Sequence, residues 1–495
     1  MGLASDAAML RPILIVHRWL GVVIGVLMTV WCLSGFVMLY VAYPQLTPAE
    51  RLQGLSPLRL PSPSTLDAIT LPADTPLASA QFEMMAGRPV LRIVPAHDPG
   101  PPPIAGSYDL ATGAQVAALP PADIRSIAAA HGARSGIAGP PATVLPTDID
   151  QWTVQSFARN RPLYRVDYAD AAATSVYVSG SSGAVVQQTT RFERFWNWLG
   201  AIPHWLYPTL LRQNAALWTQ VVIWTALIGC FLTVTGLYVG VARLRRRDGG
   251  IGSPYRGLWW WHHMAGLFFG LLTLSWVASG LFSMNPWGFL DSPAGPAERQ
   301  RLAGTVRWRE IRTAIASLGA LPGEAVRLES APLGGHAFTV AIDATGRTTR
   351  FDAQGRAAPL EQAALAAALR NGPPLAALER ITEEDDYYYA RKVPVKLPVW
   401  RAVLADDQAT RLYIDADSGA LIRAVDANGR GFRWLHNGLH SLDFPLLRAR
   451  PLWDLVVLPL LVAVTFVCGT GTWMGLRKLG RDLRRRPGRR RPIRR

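Results

Sequence analysis

Cysteine is scarce: Cys32, Cys230 and Cys468 are the only three in 495 residues, and each lies inside a long apolar run. There is no C-x-x-C, which leaves thiol exchange and iron–sulfur ligation without a ligand set. The segments between the apolar runs hold no cysteine, so they fold by core burial alone. Charge is scarce too, at 17% against 49% hydrophobic residues, which excludes a disordered chain and disfavours an ordinary soluble enzyme. No G-x-G-x-x-G follows a strand, and there is no Walker A, H-E-x-x-H or G-x-S-x-G. The chain therefore shows no nucleotide or flavin module, and any reduction it performs draws electrons from a separate cytoplasmic donor or from quinol.

What is present is apolar length. A helix crossing a bilayer needs about 20 mostly apolar residues, and four stretches qualify: 19–43, 218–241, 258–284 and 452–476. None holds Lys or Arg, and Asp454 is the only carboxylate among them. The first is too long for a signal-peptide core and has no A-x-A site after it, so it reads as a span. Segments 1–18, 243–256 and 477–495 hold 2, 5 and 11 Lys/Arg against one Asp each, which is 15 of the net charge of +16. The basicity therefore marks one membrane face and gives no nucleic-acid signal. The positive-inside rule places 1–18, 242–257 and the Arg-rich 477–495 tail in the cytoplasm, and 44–217 and 285–451 on the far side. The tail would also touch anionic lipid.

The chain reads as a tandem duplication of span, exported domain and span. From His17, HRWLGVVIGVLMTVWCLSGFVML aligns without a gap to HHMAGLFFGLLTLSWVASGLFSM from His262. Pro162-Leu-Tyr-Arg-Val aligns with Pro398-Val-Trp-Arg-Ala, and Trp198, Leu199 and His204 with Trp434, Leu435 and His440. Such halves pack about a pseudo-twofold axis along the membrane normal. The fold class expected is a four-span α-helical membrane bundle with two exported α+β domains, 44–217 and 285–451. Alternating apolar runs with G-S-S-G and D-x-S-G turns predict their hairpins.

A span opening with His17-Arg-Trp-Leu-Gly, an exported segment ending in Tyr177-Val-Ser-Gly-Ser-Ser-Gly-Ala-Val, and then Trp198-Leu199 and His204 before a second span resemble the PepSY-associated transmembrane proteins. The acidic-tyrosine run Asp385-Asp386-Tyr387-Tyr388-Tyr389 fits the same family. The resemblance implies a bacterial inner-membrane protein with PepSY domains in the periplasm. It points to a family that includes iron-regulated membrane proteins and diheme ferric-siderophore reductases of the FoxB type.

Six of the nine histidines stand at or beside span ends. His17 and His262 lie at the inner mouths of spans 1 and 3, and His204 and His440 precede spans 2 and 4 on the outer side. Ionisable groups at a hydrocarbon boundary are functional candidates by default, and haem takes two axial imidazoles from facing helices. The expectation is two b haems, one held by His17 and His262 and the other by His204 and His440. His263 and His436 have no partner in the other half. His436 and His440, four residues apart on one face, are alternative outer ligands, and such a pair also suits Zn or Cu. Gly21, Gly25, Gly266 and Gly270 follow the inner histidines at spacings of four and eight. They read either as a slot for a flat macrocycle or as helix-packing contacts. Arg212 and Arg448, each eight residues past an outer histidine, read as propionate partners or as snorkelling anchors. His97, His131 and His336 read as surface residues, and Glu383–Asp386 with the following tyrosines reads as a solvated face or else as a site for a cation or ferric complex.

The leading function is a membrane oxidoreductase passing electrons to an iron(III)–siderophore or another periplasmic acceptor. The alternatives are a non-catalytic protein binding a peptide or protease, and a transport subunit. The last would call for a broken helix or an intramembrane carboxylate to coordinate a moving ion, and the sequence is read as having neither.

Overall fold

The structure, a computed structural model, describes residues 2–59, 63–95, 106–154, 157, 160–247, 250–319, 321, 323–390 and 393–484. His97 and the tail beyond Arg484 lie outside the described residues. Two compact units form: one from residues up to Ala42, Trp196–Leu290 and Gly431 onward, the other from Tyr43–Phe195 and Asp291–Arg430.

In the first unit, Ala215–Ala242, Leu258–Ser283 and Leu452–Arg484 are long and apolar enough to cross a membrane. The fourth apolar run is not one straight helix. Helices α1 (Gly2–Val23) and α2 (Gly25–Tyr40) meet at Ile24 with a bend of 55° between Leu10–Val23 and Gly25–Tyr40, which corrects the expectation of an unbroken first span. The backbone bonds Ile24 N–H to Leu20 O (2.8 Å) and Met28 N–H to Ile24 O (2.9 Å) persist through it. The break falls between Gly21 and Gly25, where small residues let the helix axis turn. Small residues also bring α2 against the 452–484 helix: a Cβ on Gly25 would stand 3.0 Å from Thr472 Oγ1, and Thr29 Oγ1 lies 2.9 Å from Thr472 Oγ1.

The second unit is α+β. Its largest sheet, antiparallel throughout, runs Thr348–Phe351, Thr339–Asp343, Ala325–Ser330, Pro76–Met85, Arg88–Pro95, Gly106–Asp109, with Val306–Arg307 also paired to Pro76–Met85. Strands from segments 44–217 and 285–451 thus share one sheet, joined where Gln81, Phe82 and Glu83 face Glu329, Leu328 and Arg327. Period-two alternation sorts its faces. Ala80, Phe82, Leu91 and Leu328 enter a core with Trp308 and Ile311. Glu83, on the opposite face, is ion-paired by Arg92 and Arg327.

Each segment also builds a four-stranded sheet, Pro141–Pro146 to Val185–Thr189 and Leu375–Ile381 to Leu421–Val425. A matched tyrosine ties a loop to each one: Tyr177 donates to Asp150 (2.6 Å) and Tyr413 to Asp385 (2.7 Å). Asp385 also accepts from Arg401 (2.6 Å) and from the Tyr387 and Tyr388 N–H groups, and Tyr388 and Tyr389 are buried. Glu383 and Glu384 are exposed, as a solvated face requires, and the expectation is corrected only for Asp385 and the tyrosines that follow. His131 likewise is buried (3% exposed) on the Pro121–Ser135 helix, 3.1 Å from Gln188 Oε1, and is not a surface residue. His336 is exposed, as expected.

Candidate functional site

At one end of the helical unit, the structure brings His204 and His440 together edge-on, with ring centres 6.1 Å apart and planes at 70°. His204 ends the short helix Ala201–His204, and His440 lies in Leu439–Ser441. The same contacts hold both. The His204 Nδ1–H donates to Trp31 O (3.0 Å) with Ser34 Oγ at 3.0 Å, and the His440 Nδ1–H to Trp276 O (3.1 Å) with Ser279 Oγ at 3.2 Å. A carbonyl only accepts, so the proton resides on Nδ1, and Nε2 carries the lone pair that a metal uses.

His436 sits in a π-helical turn, Arg433–Gly438, with its ring stacked on His440 at 5.3 Å and its Nδ1 3.1 Å from Ser279 O. Its place in the other half is held by Gly200, where a Cβ would meet Val37 at 2.8 Å. It is His440 whose anchoring to Trp276 O and Ser279 Oγ repeats that of His204. Beside this tier, Arg433 and Asp443 form a buried ion pair at 2.8 Å (side chains 5% and 9% exposed), which hydropathy alone gave no reason to expect.

At the opposite end, the His17 Nδ1–H donates to Leu232 O (3.1 Å), with Thr235 Oγ1 at 3.4 Å. His262 Nδ1 lies 3.1 Å from Thr470 Oγ1. Each ring abuts a glycine one residue further on: a Cβ on Gly236 would stand 2.7 Å from His17 Cε1, and one on Gly471 2.9 Å from His262 Cε1. Both anchors lie in T-G-x-[YW]-x-G, Thr235–Gly240 and Thr470–Gly475. An alignment of spans 2 and 4, like that of spans 1 and 3, would have exposed them.

His263 is different. It is 8% exposed, and both ring nitrogens are engaged, Nδ1 with Ser253 Oγ (2.7 Å) and Nε2 with Gly240 O (2.8 Å). It ties the 258–283 helix to its neighbour and has no nitrogen to spare for a ligand. His263→Ala is expected to cost about 1–3 kcal/mol, because it leaves the Gly240 carbonyl without this donor. Its absorption spectrum should match the parent's, and an altered spectrum with unchanged melting would contradict this role.

The four glycines divide. Nothing stands within 4 Å of a Cβ built on Gly21 or Gly266, whereas one on Gly25 meets Thr472 and one on Gly270 meets Leu237 Cδ2 at 2.6 Å. The first two border open space, and the last two are packing contacts. Between the tiers lie Ile24, Met28, Val464 and Cys468, with Trp31 and Trp276 against them. Trp31 and Trp276, equivalent in the repeat, each keep a buried indole N–H with no hydrogen-bond partner among the described residues. Such a donor costs about 1–3 kcal/mol in a dry core. Open space beside two equivalent glycines, two equivalent orphan donors and paired imidazoles suit a large flat ligand with acceptor groups.

Arg212 lies over Trp218 (4.5 Å) and Tyr207 (5.3 Å), with Nε buried and unpartnered. A second arginine, Arg450, lies over Trp453 (5.3 Å), the counterpart of Trp218, and over Tyr40 (5.2 Å). Among the described residues, no group of three or more His, Cys, Asp or Glu is placed to hold a metal ion.

A family model, PepSY-associated TM region, matches residues 14–338. No curated protein matches the chain.

Proposed function

The chain belongs to the PepSY-associated TM region family, and on that premise we propose that it is a four-span, duplicated inner-membrane oxidoreductase with two b-type haems. In this reading both termini are cytoplasmic, residues 44–217 and 285–451 are periplasmic, and the acceptor is a ferric siderophore. The observation that carries the proposal is the His204–His440 pair, 6.1 Å apart and anchored by equivalent contacts. His204 and His440 would hold the outer group, and His17 and His262 the inner one. Bound there, a haem supplies reversible one-electron chemistry.

The chain's own residues do the rest. Trp31 O, Trp276 O, Leu232 O and the neighbouring hydroxyls orient the rings, and the apolar residues between the tiers exclude water. Gly21 and Gly266 leave room beside the inner histidines. Arg212 presents a guanidinium suited to a carboxylate at the outer boundary. A donor outside the chain supplies electrons, and reduction to iron(II) weakens the hold of hard-oxygen chelators on the metal.

Proteoliposomes carrying an internal reductant should release iron(II), trapped by ferrozine, from an external ferric hydroxamate complex. No release above protein-free vesicles would sink the proposal. Leucine at Gly21 or Gly266 should fill the inner slot and lower inner-site haem content while the protein still inserts. Leucine at Gly25 or Gly270 should instead loosen helix packing and lower the melting temperature. Equal effects at all four positions would contradict the division.

A further inference from the structure

We infer that Thr235 and Thr470 are positioning residues for the inner imidazoles, and Ser34 and Ser279 for the outer ones. The inference rests on the haem reading only for what the imidazoles hold. Each hydroxyl has one proton, and in every case a helix carbonyl takes it. Thr235 Oγ1 donates to Phe231 O (2.9 Å) and Leu232 O (2.9 Å), and Thr470 Oγ1 to Phe466 O (2.7 Å) and Val467 O (3.1 Å). Ser34 Oγ donates to Trp31 O (3.0 Å) and Ser279 Oγ to Trp276 O (3.0 Å).

With that proton committed, each hydroxyl turns a lone pair toward the imidazole, which must answer with Nδ1–H. The other tautomer would set two lone pairs against each other at about hydrogen-bond distance and leave a buried acceptor unmet. The chain thus fixes Nε2 as the ligand nitrogen before any ligand arrives. Next to each inner threonine, Gly236 or Gly471 lets the ring lie against the helix backbone, so Thr-Gly works as a unit: an acceptor, then room.

The wiring stays within each half. The 215–242 helix orients His17 and α2 orients His204, while the 452–484 helix orients His262 and the 258–283 helix orients His440. Each half carries two prepared imidazoles, and a ligand would join the halves.

The test uses the full-length apo-protein, labelled with 15N-histidine and titrated with haemin. In the parent, His17 and His262 should show a protonated Nδ1 and an unprotonated Nε2. Thr235→Val should leave the His17 proton on Nδ1, because Leu232 O still accepts it, but shift the Nδ1 15N signal and weaken inner-site haemin binding by about 10–100-fold, the usual effect of losing a partner behind a metal ligand. Thr235→Ser should restore both, and the outer site should not change. A valine variant with parental haemin affinity and an unchanged His17 15N signal would overturn the inference. A parent that takes up no haemin would count against the haem reading instead, and the 15N spectra would still decide the positioning role.

Discussion

Replacing His204 or His440 by alanine is expected to remove one of the two haems outright and leave the other at full occupancy. The two rings stand 6.1 Å apart, and in the proposed site each would supply one of two imidazole donors, so either loss would leave a single donor. Insertion should survive, because about 20 apolar residues per span drive it. The inner tier should survive as well, since its anchors Leu232, Thr235 and Thr470 belong to other helix segments than Trp31, Ser34, Trp276 and Ser279. His436→Ala is the control: its ring stacks on His440 but does not repeat the Trp276 carbonyl contact, so haem content should hold. If His440→Ala kept both haems and His436→Ala lost one, the outer ligand would be His436.

The second large effect is expected far from the histidines. Glu83→Ala should destabilise the sheet-bearing unit by about 3–5 kcal/mol, the cost of stranding buried charge. Glu83 is 6% exposed, and the Arg92 and Arg327 guanidiniums that it pairs are 14% exposed, so neither arginine can turn to water without opening the sheet. Burial pushes the Glu83 carboxyl up, but the Arg92 and Arg327 guanidiniums outweigh it and hold the group below its ordinary range. Its stabilisation is therefore complete above the unfolded carboxyl pKa and fades as pH falls through the lower folded value. The parent should lose stability on acidification in a way that the variant does not. Hydrogen exchange across 76–95 and 325–330 reads this directly. Asp74→Ala, which breaks exposed pairs to Arg307 and Arg309, should change exchange little. Equal effects at Glu83 and Asp74 would remove the buried-charge argument.

The apolar runs, the gapless match of spans 1 and 3, and the equivalence of His204 with His440 were legible because they depend on local periodicity and residue type. The shared sheet was not. Pairing Gln81 with Glu329 joins strands some 250 residues apart, and alternation within one strand says which side is buried but not which strand lies alongside. The bend at Ile24 was hidden because Gly21 and Gly25 fit a packed straight helix equally well, and only the open space beside Gly21 separates their roles. Thr235 and Thr470 looked like ordinary small residues in apolar helices, whose function depends on what leans against them from another span. The burial of His131 was not legible because its partner, Gln188, comes from a distant strand.

The most direct test of the central claim is the haem content and the reduced-minus-oxidised spectrum of the purified full-length protein. Two haems per chain with sharp low-spin α-bands, falling to one in both the His204→Ala and the His17→Ala variants, is the predicted result. A protein that remains colourless after expression with excess haem and reconstitution with haemin, while folded and inserted, would contradict it.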